Sequence, residues 1–323
     1  MRAEVGSAPV TRVAVIGAGA IGSVVAAALA KAGHQVSLCV RTAMDHLSVE
    51  HEGKTAIVPA AIVTNPADVG AVDWVFVATK TQDTAGTKGW LDQMVGPKTR
   101  IVLLQNGVDS AEIIRPLVGS AVVIPSIVYI SAERVARGHV VHFFGVKLEV
   151  PQTDDTTALV DLLAPGGIDV HPQADFITAA WRKLICNVAL NPITALTMQR
   201  FGVFRDPAIQ DLSTRIIREA AWVGNAAGAH FPPQEIERIA AYCTELSPKG
   251  GTSMLYDRMA GNRLEYEHLT GTIVRLAQRY GIDAPYNNAI YALIAALDAS
   301  LQLAPQPVAL AAANDQAEEA RAI

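Results

Sequence analysis

The stretch Val13-Ala-Val-Ile-Gly-Ala-Gly-Ala-Ile-Gly22 constrains this chain more than any other. Its first residues, from Val13 to Ile16, have the β-branched, apolar character of a buried strand, and the segment from Ala20 to Ala32 that of an Ala-rich helix. Between them Gly17, Gly19 and Gly22 are spaced as G-x-G-x-x-G. Gly17 permits a tight turn, Gly19 removes the side chain where a pyrophosphate must approach, and Gly22 lets the helix pack on the strand. The start of the helix adds N–H groups and a partial positive charge. Glycine-rich turns are common in proteins, so the spacing alone is weak. The strand before it and the helix after it make Gly17, Ala18, Gly19, Ala20, Ile21 and Gly22 the expected cradle of a dinucleotide.

Two rival readings of this stretch fail on its internal pattern. Val13 to Ala30 is a run of 18 uncharged residues, near the shortest length that spans a bilayer. Arg2 and Arg12 ahead of it also mimic a secretory signal. A membrane segment, however, needs neither glycines at dinucleotide spacing nor a switch from β-branched to Ala-rich character. The rest of the composition agrees with a soluble enzyme. Half of the 323 residues are hydrophobic, 18% are charged, and the net charge is only −5, which offers no basic surface to nucleic acid or anionic lipid. Cys39, Cys186 and Cys243 lie far apart, as free thiols in a reducing compartment do, so the expected location is the cytoplasm. The eight histidines lack ligand spacing, and no metal is expected.

Along the chain, apolar strands are expected at Arg12–Ile16, Gln35–Val40, Trp74–Thr79, Arg100–Leu104 and Ala121–Tyr129, with an alternating strand or hairpin from His139 to Val150. A last short strand follows the punctuation at Pro165-Gly-Gly. From Asp175 onward the pattern turns helical, over Phe176–Leu190, Pro207–Ala227, Pro233–Thr244, Arg263–Tyr280 and Tyr286–Leu301. The fold class is therefore an α/β Rossmann N-terminal domain, 1–174, followed by an all-helical C-terminal domain, 175–323. Residues 306–323, rich in Ala and acids, read as a frayed helix or a mobile tail.

Several polar residues stand where such a fold does chemistry. Arg41 lies at the end of the second strand, where an acid would meet the ribose hydroxyls of NAD and an arginine accommodates the 2′-phosphate of NADP. It is equally a plain solvated strand end, but its position favours NADPH over NADH. Lys80 and Asn106 follow the strands ending near Thr79 and Leu104, at the carboxyl edge where ligands sit. Asn106-Gly107 is also an ordinary turn dipeptide. Lys183, Asn187 and Asn191 recur every four residues, so they share one helix face within an apolar segment. A surface stripe would show the same spacing. Pro192 is expected to end or kink that helix. Ser253 reads as a helix cap or a ligand, with Asp257 in the first turns after it, and Glu265 as an acid near the start of the next helix.

Taken together, Gly17-Ala-Gly-Ala-Ile-Gly22, the set Lys183-x-x-x-Asn187-x-x-x-Asn191-Pro-x-Thr-Ala-Leu196, and Ser253-Met-Leu-x-Asp257 with Glu265 resemble the ketopantoate reductase (2-dehydropantoate 2-reductase) family. The resemblance extends over nearly the whole chain, to Gly281-Ile-Asp-Ala-Pro285. It implies NADPH-dependent reduction of ketopantoate to pantoate, a step of pantothenate and coenzyme A biosynthesis, at a site between the two domains. It further implies Lys183 as general acid, assisted by Glu265. Asn187, Asn191, Ser253 and Asp257 would hold the substrate, Asn106 the substrate and the cofactor, Lys80 the cofactor side, and Arg41 the 2′-phosphate. Another 2-oxo acid or an opine-type substrate fits the same plan, as does a non-catalytic NADP-binding protein. The state expected is monomer or homodimer. The chain departs from the family pattern at Thr81-Gln-Asp-Thr-Ala-Gly-Thr-Lys-Gly-Trp90, longer and richer in glycine than expected, and in the segment from Asp257 to Glu265.

Overall fold

The computed structural model describes residues 10–303, so the tail expectation for 306–323 lies outside the described residues. Contacts divide these residues into two compact units, 10–105 with 110–174 and 106–109 with 175–303.

The first unit opens with β1 (Arg12–Ile16), α1 (Ala20–Lys31) and β2 (Gln35–Cys39), then β3 (Leu47–His51), β4 (Lys54–Val58) and β5 (Ala60–Val63). It continues through β6 (Trp74–Val77), α2 (Lys88–Met94), β7 (Arg100–Leu103), α3 (Ser110–Val118), β8 (Val122–Pro125), β9 (Ile127–Ala136), β10 (His139–Pro151), α4 (Asp154–Leu163) and β11 (Asp169–Gln173). Six strands form a parallel sheet in the order β5-β2-β1-β6-β7-β8. The central strands β1, β6 and β7 are apolar along their buried lengths because both of their faces are covered. Along β1, Val13 and Val15 enter one core with Leu29, Leu38 and Phe76, while Ala14 and Ile16 enter the other with Met94, Ile101 and Ile114.

A second sheet, ordered β11-β10-β3-β4 with β9 antiparallel to β10, carries β3 and β4, which sequence reasoning missed as it did β5 in the first sheet, and β9, which it merged with β8. β3 and β4 form a hairpin closed by Glu52 and Gly53, both at positive φ (51° and 71°), the geometry of a tight two-residue turn. The expected single strand Ala121–Tyr129 is two strands in different sheets. The chain changes sheet at Ser126, whose N–H and hydroxyl both donate to the Leu103 carbonyl (3.1 and 2.5 Å) and end the parallel ladder there.

The second unit holds α5 (Phe176–Thr197), α6 (Pro207–Ala226), α7 (Pro233–Glu245), α8 (Ser253–Met259), α9 (Thr270–Tyr280) and α10 (Pro285–Leu303). Asp175 caps α5 by accepting from Thr178 N (3.0 Å), and Asp206 caps α6 ahead of Pro207. Trp181, Ile185, Phe204, Ile217, Ile273 and Ile294 centre its core. Among the described residues no helix is long and apolar enough to cross a membrane.

Two expectations need correction here. α5 does not end at Pro192; it continues to Thr197. Side-chain donors serve the carbonyls of this stretch: Thr194 Oγ1 reaches Leu190 O (2.9 Å), Thr197 Oγ1 reaches Ile193 O (2.7 Å), and Arg258 donates to the carbonyls of Ala195 and Leu196. The helix expected from Arg263 begins only at Thr270, because Leu264 N is bound by Asp298 Oδ1 (2.7 Å) and Glu265 leads into a short 3₁₀ turn over Tyr266–His268.

The buried carboxylate of Glu219 holds the start of α10. It accepts from Tyr286 N (3.0 Å), Asn287 N (2.9 Å) and Asn287 Nδ2 (2.8 Å). Hydrogen bonds to a charged group contribute more than neutral ones, and Glu219→Ala strands two backbone N–H groups, so a loss of about 3 kcal/mol is expected. Glu219→Gln, which keeps one acceptor oxygen, is expected to lose less. Thermal melts of the two variants beside the parent check this order.

Candidate cofactor and catalytic residues

In the first unit the glycine turn adopts the geometry that its spacing requires. Gly17 has φ +107°, and its N–H donates to Cys39 O (3.0 Å), tying the end of β1 to that of β2. A Cβ on Gly22 would lie 2.1 Å from Gly17 O and 2.8 Å from Ala78 Cβ. The turn and α1 therefore meet at a distance that only glycine allows. Gly19 differs: a Cβ there would find only Ala78 O, at 3.9 Å. The space above Gly19 is open, and no side chain caps α1, which has no acid in its first turn. A close backbone turn with room over Gly19 and an uncapped helix start fits a pyrophosphate. Ala18, Ala20 and Ile21 line this turn, each partly buried. Cys39, beneath it, is inert, because burial pushes its thiol up to about 12. All three cysteines are free thiols.

Arg41 stands two residues past β2 with its side chain 88% exposed, 4.0 Å from Asp83 Oδ2. Lys80 leads into the segment that looked like an overlong loop. It is a seven-residue 3₁₀ helix, Thr81–Thr87, running straight into α2. Thr81, Thr84 and Thr87 recur every three residues, the 3₁₀ period, and all three are buried. Thr84 Oγ1 donates to Thr81 O (2.8 Å) and Thr87 Oγ1 to Thr84 O (2.6 Å). That three-residue threonine period was the sequence signal that could have identified the helix.

In the second unit α5 carries Lys183, Asn187 and Asn191 along one face; Asn191 is buried, the other two partly so. α8 is fastened to α5 by Thr252 Oγ1 and Thr194 Oγ1 (2.6 Å). The cap of α8 is Thr252, which accepts from Leu255 N (3.1 Å), so Ser253 is not the cap; it is exposed at the first helical position. The Thr194–Thr252 bond brings Ser253 beside the turn of α5 that follows Asn191. Asp257 lies one turn further along α8, where Asn262 Nδ2 donates to its Oδ1 (3.3 Å).

The short strip Asn106–Asp109 belongs to this second unit although it follows β7 in sequence. Asn106 Nδ2 donates to Glu265 Oε2 (3.3 Å), so the structure joins two residues singled out 159 positions apart. Gly107 has φ +97°, and a Cβ there would lie 2.9 Å from His268 O. Asp109 is held by Arg275 Nη2 (3.2 Å) and Thr272 Oγ1 (3.4 Å), with His268 Nδ1 at 3.9 Å. Sequence reasoning missed Asp109 and Arg275, since nothing local marks them as partners. Close by, Tyr291 donates to Glu267 Oε1 (2.8 Å), and that bond, with burial, raises its phenol above the ordinary range.

A glycine turn that fits a pyrophosphate, on a parallel sheet followed along the chain by a helical unit, is the architecture of a two-unit protein of the Rossmann class. The family description "Ketopantoate reductase PanE/ApbA" matches residues 13–155, and its C-terminal counterpart matches residues 175–298. The 2-dehydropantoate 2-reductase of Caulobacter vibrioides is 37% identical over 289 residues, covering 88% of this chain and 98% of that protein. The chain belongs to the ketopantoate reductase family, whose members act on a keto group, and its cofactor is a nicotinamide dinucleotide. Among solved structures, a dimeric ketopantoate reductase from Staphylococcus aureus matches with a TM-score of 0.82 and 27% identity over 90% of this chain and 99% of that one. A D-mandelate dehydrogenase, solved with NADH and anilino(oxo)acetate, has the same fold at 22% identity, with a TM-score of 0.83 over 90% of this chain and 99% of that one. One fold thus serves enzymes of different names, and fold alone does not select the substrate.

Proposed function

We propose that this protein reduces 2-dehydropantoate to pantoate with NADPH. The observation that carries the reading is the α5 face of Lys183, Asn187 and Asn191, on a chain whose relatives bear that enzyme name.

In this reading the glycine turn seats the pyrophosphate against the start of α1, Lys80 approaches the phosphates, and Arg41 meets the 2′-phosphate. The bound reduced cofactor supplies a hydride equivalent to the keto carbon. As charge grows on the carbonyl oxygen, the Lys183 ammonium stabilises it and gives the proton that completes the alcohol. Asn187 and Asn191 bind hydroxyl and carboxylate oxygens without titrating, and Ser253 and Asp257 complete the polar lining. Glu265, hydrogen-bonded to Asn106, orients that amide toward its ligand.

Steady-state kinetics with 2-dehydropantoate beside a panel of other 2-oxo acids, each with NADPH and with NADH, test the proposal. 2-Dehydropantoate with NADPH is expected to give the highest kcat/KM; a larger value for another 2-oxo acid reassigns the substrate. Arg41→Ala is expected to weaken NADPH much more than NADH, since the two differ only in the phosphate that Arg41 would meet. Equal weakening of both removes Arg41 from that role. We also propose a homodimer or a monomer, decided by sedimentation.

A further inference from the structure

The residue just before the strip that joins the second unit is Gln105, at the end of β7, with only 5% of its surface exposed. Its side-chain amide faces a dense set of acceptors. Nε2 lies 2.8 Å from Thr84 Oγ1, 3.1 Å from Thr79 O, 3.2 Å from Thr79 Oγ1 and 3.4 Å from Lys80 O. Two of these are backbone carbonyls, which cannot donate, so the NH₂ end of the amide must point here. Gln105 Oε1 is buried with no hydrogen-bond partner. A buried amide oxygen without a partner is costly, and the cost is tolerated where the other end of the group does something that matters.

The segment that Gln105 grips is the connection leaving β6, and it does two things. Its Lys80 is the residue read as the phosphate contact. Its Ala78 and Thr79 back the glycine turn, with Thr79 N 3.1 Å from the site of a Cβ on Gly17. Beyond it, Thr84 Oγ1 accepts from Gln105 and donates to Thr81 O, and Thr87 repeats the bond one turn on. One amide therefore ties the end of β7, the glycine-turn backing, the Lys80 backbone and the 3₁₀ helix into a single buried network.

We propose that Gln105, working through the Thr84 hydroxyl, is a positioning residue that sets Lys80 against the glycine turn for the cofactor's phosphates. It touches no cofactor itself. The inference rests on the reading of Lys80 as a phosphate contact. A lysine on a loosened connection still carries its charge but spends it over many positions, and misplacement of a binding group by about 1 Å is enough to cost much of its contribution.

The test is a double-mutant cycle on the full chain, read as the Kd of NADPH by calorimetry alongside Tm. Gln105→Met keeps the length and burial of the side chain and removes both donors. It is expected to raise the Kd about tenfold. Lys80→Ala alone is expected to raise it by a similar factor, and the double variant scarcely further, because both changes remove the same interaction. Thr84→Ser, which keeps the hydroxyl, is expected to bind as the parent does, and Thr84→Val to show part of the Gln105→Met loss. Effects of Gln105→Met and Lys80→Ala that multiply in full overturn the inference while leaving Lys80 a phosphate contact. A Lys80→Ala variant with parental Kd removes the reading of Lys80 and the inference with it. Should Gln105→Met fold poorly, the Thr84 pair decides: equal Kd for Thr84→Ser and Thr84→Val overturns the proposal.

Discussion

Lys183→Ala is expected to lose about 10²–10⁴-fold in kcat, the usual worth of a positioned general acid, while NADPH binds as before. The separation is expected because Lys183 belongs to the second unit and the glycine turn, Arg41 and Lys80 to the first. The fold of this variant is expected to stand, since Lys183 is only partly buried and alanine is the best helix former in the interior of α5. Lys183→Arg adds a sharper test. It keeps the positive charge but holds its proton far more tightly, so it is expected to retain charge stabilisation and lose proton transfer. Stopped-flow single turnovers with each variant, beside NADPH titrations, separate chemistry from binding. Turnover of Lys183→Ala near the parental rate would take the acid role from this residue and reopen the reading of the protein as a non-catalytic NADP binder.

The second large effect is expected at the glycine turn, where two glycines divide fold from binding. Gly22→Ala places a methyl 2.1 Å from Gly17 O, a backbone atom that cannot swing aside. α1 must move off the turn, which costs about 1–3 kcal/mol as overpacking does and displaces the phosphate cradle. Both Tm and NADPH affinity are expected to fall, affinity by about 100-fold. Gly19→Ala meets nothing closer than Ala78 O at 3.9 Å, so the fold is expected to stand unchanged. Its methyl instead fills the space that the pyrophosphate needs, and affinity falls with Tm intact. Calorimetric titration and a thermal melt on each variant show the contrast; a Gly19→Ala protein that binds NADPH normally would place the pyrophosphate elsewhere.

Legibility followed element length and the sharpness of the pattern. β1, β2, β6 and β7 were readable because strands buried on both faces are continuous apolar runs. β3 and β4 were not, since Ser48, Glu50, Lys54 and Thr55 give them a polar character that reads as loop. α2 and α8 span seven residues each, too short for a helical period to stand out. Pro192 misled because a proline removes a single N–H, here the partner of Val188 O, and the well-buried α5 carries its ladder past that one loss to Thr197. Of the two readings of Ser253, cap or ligand, the cap falls to Thr252 one position away, a difference set by local backbone geometry.

What the sequence determined by itself is whatever a short repeat distance encodes. Three glycines at fixed spacing specify a turn, and three polar residues four apart specify a helix face, because backbone geometry converts each spacing directly into position. What only the tertiary structure decided are pairings between distant residues. Asn106 meets Glu265 across 159 positions, Asp109 meets Arg275 across 166, and Gln105 grips the Lys80 backbone across 25. No periodicity reports such contacts, since they arise only when separate elements pack and each buried polar group must find a partner. The glycine turn was therefore visible from the start, whereas the network holding Lys80 beside it emerged only when the chain had folded.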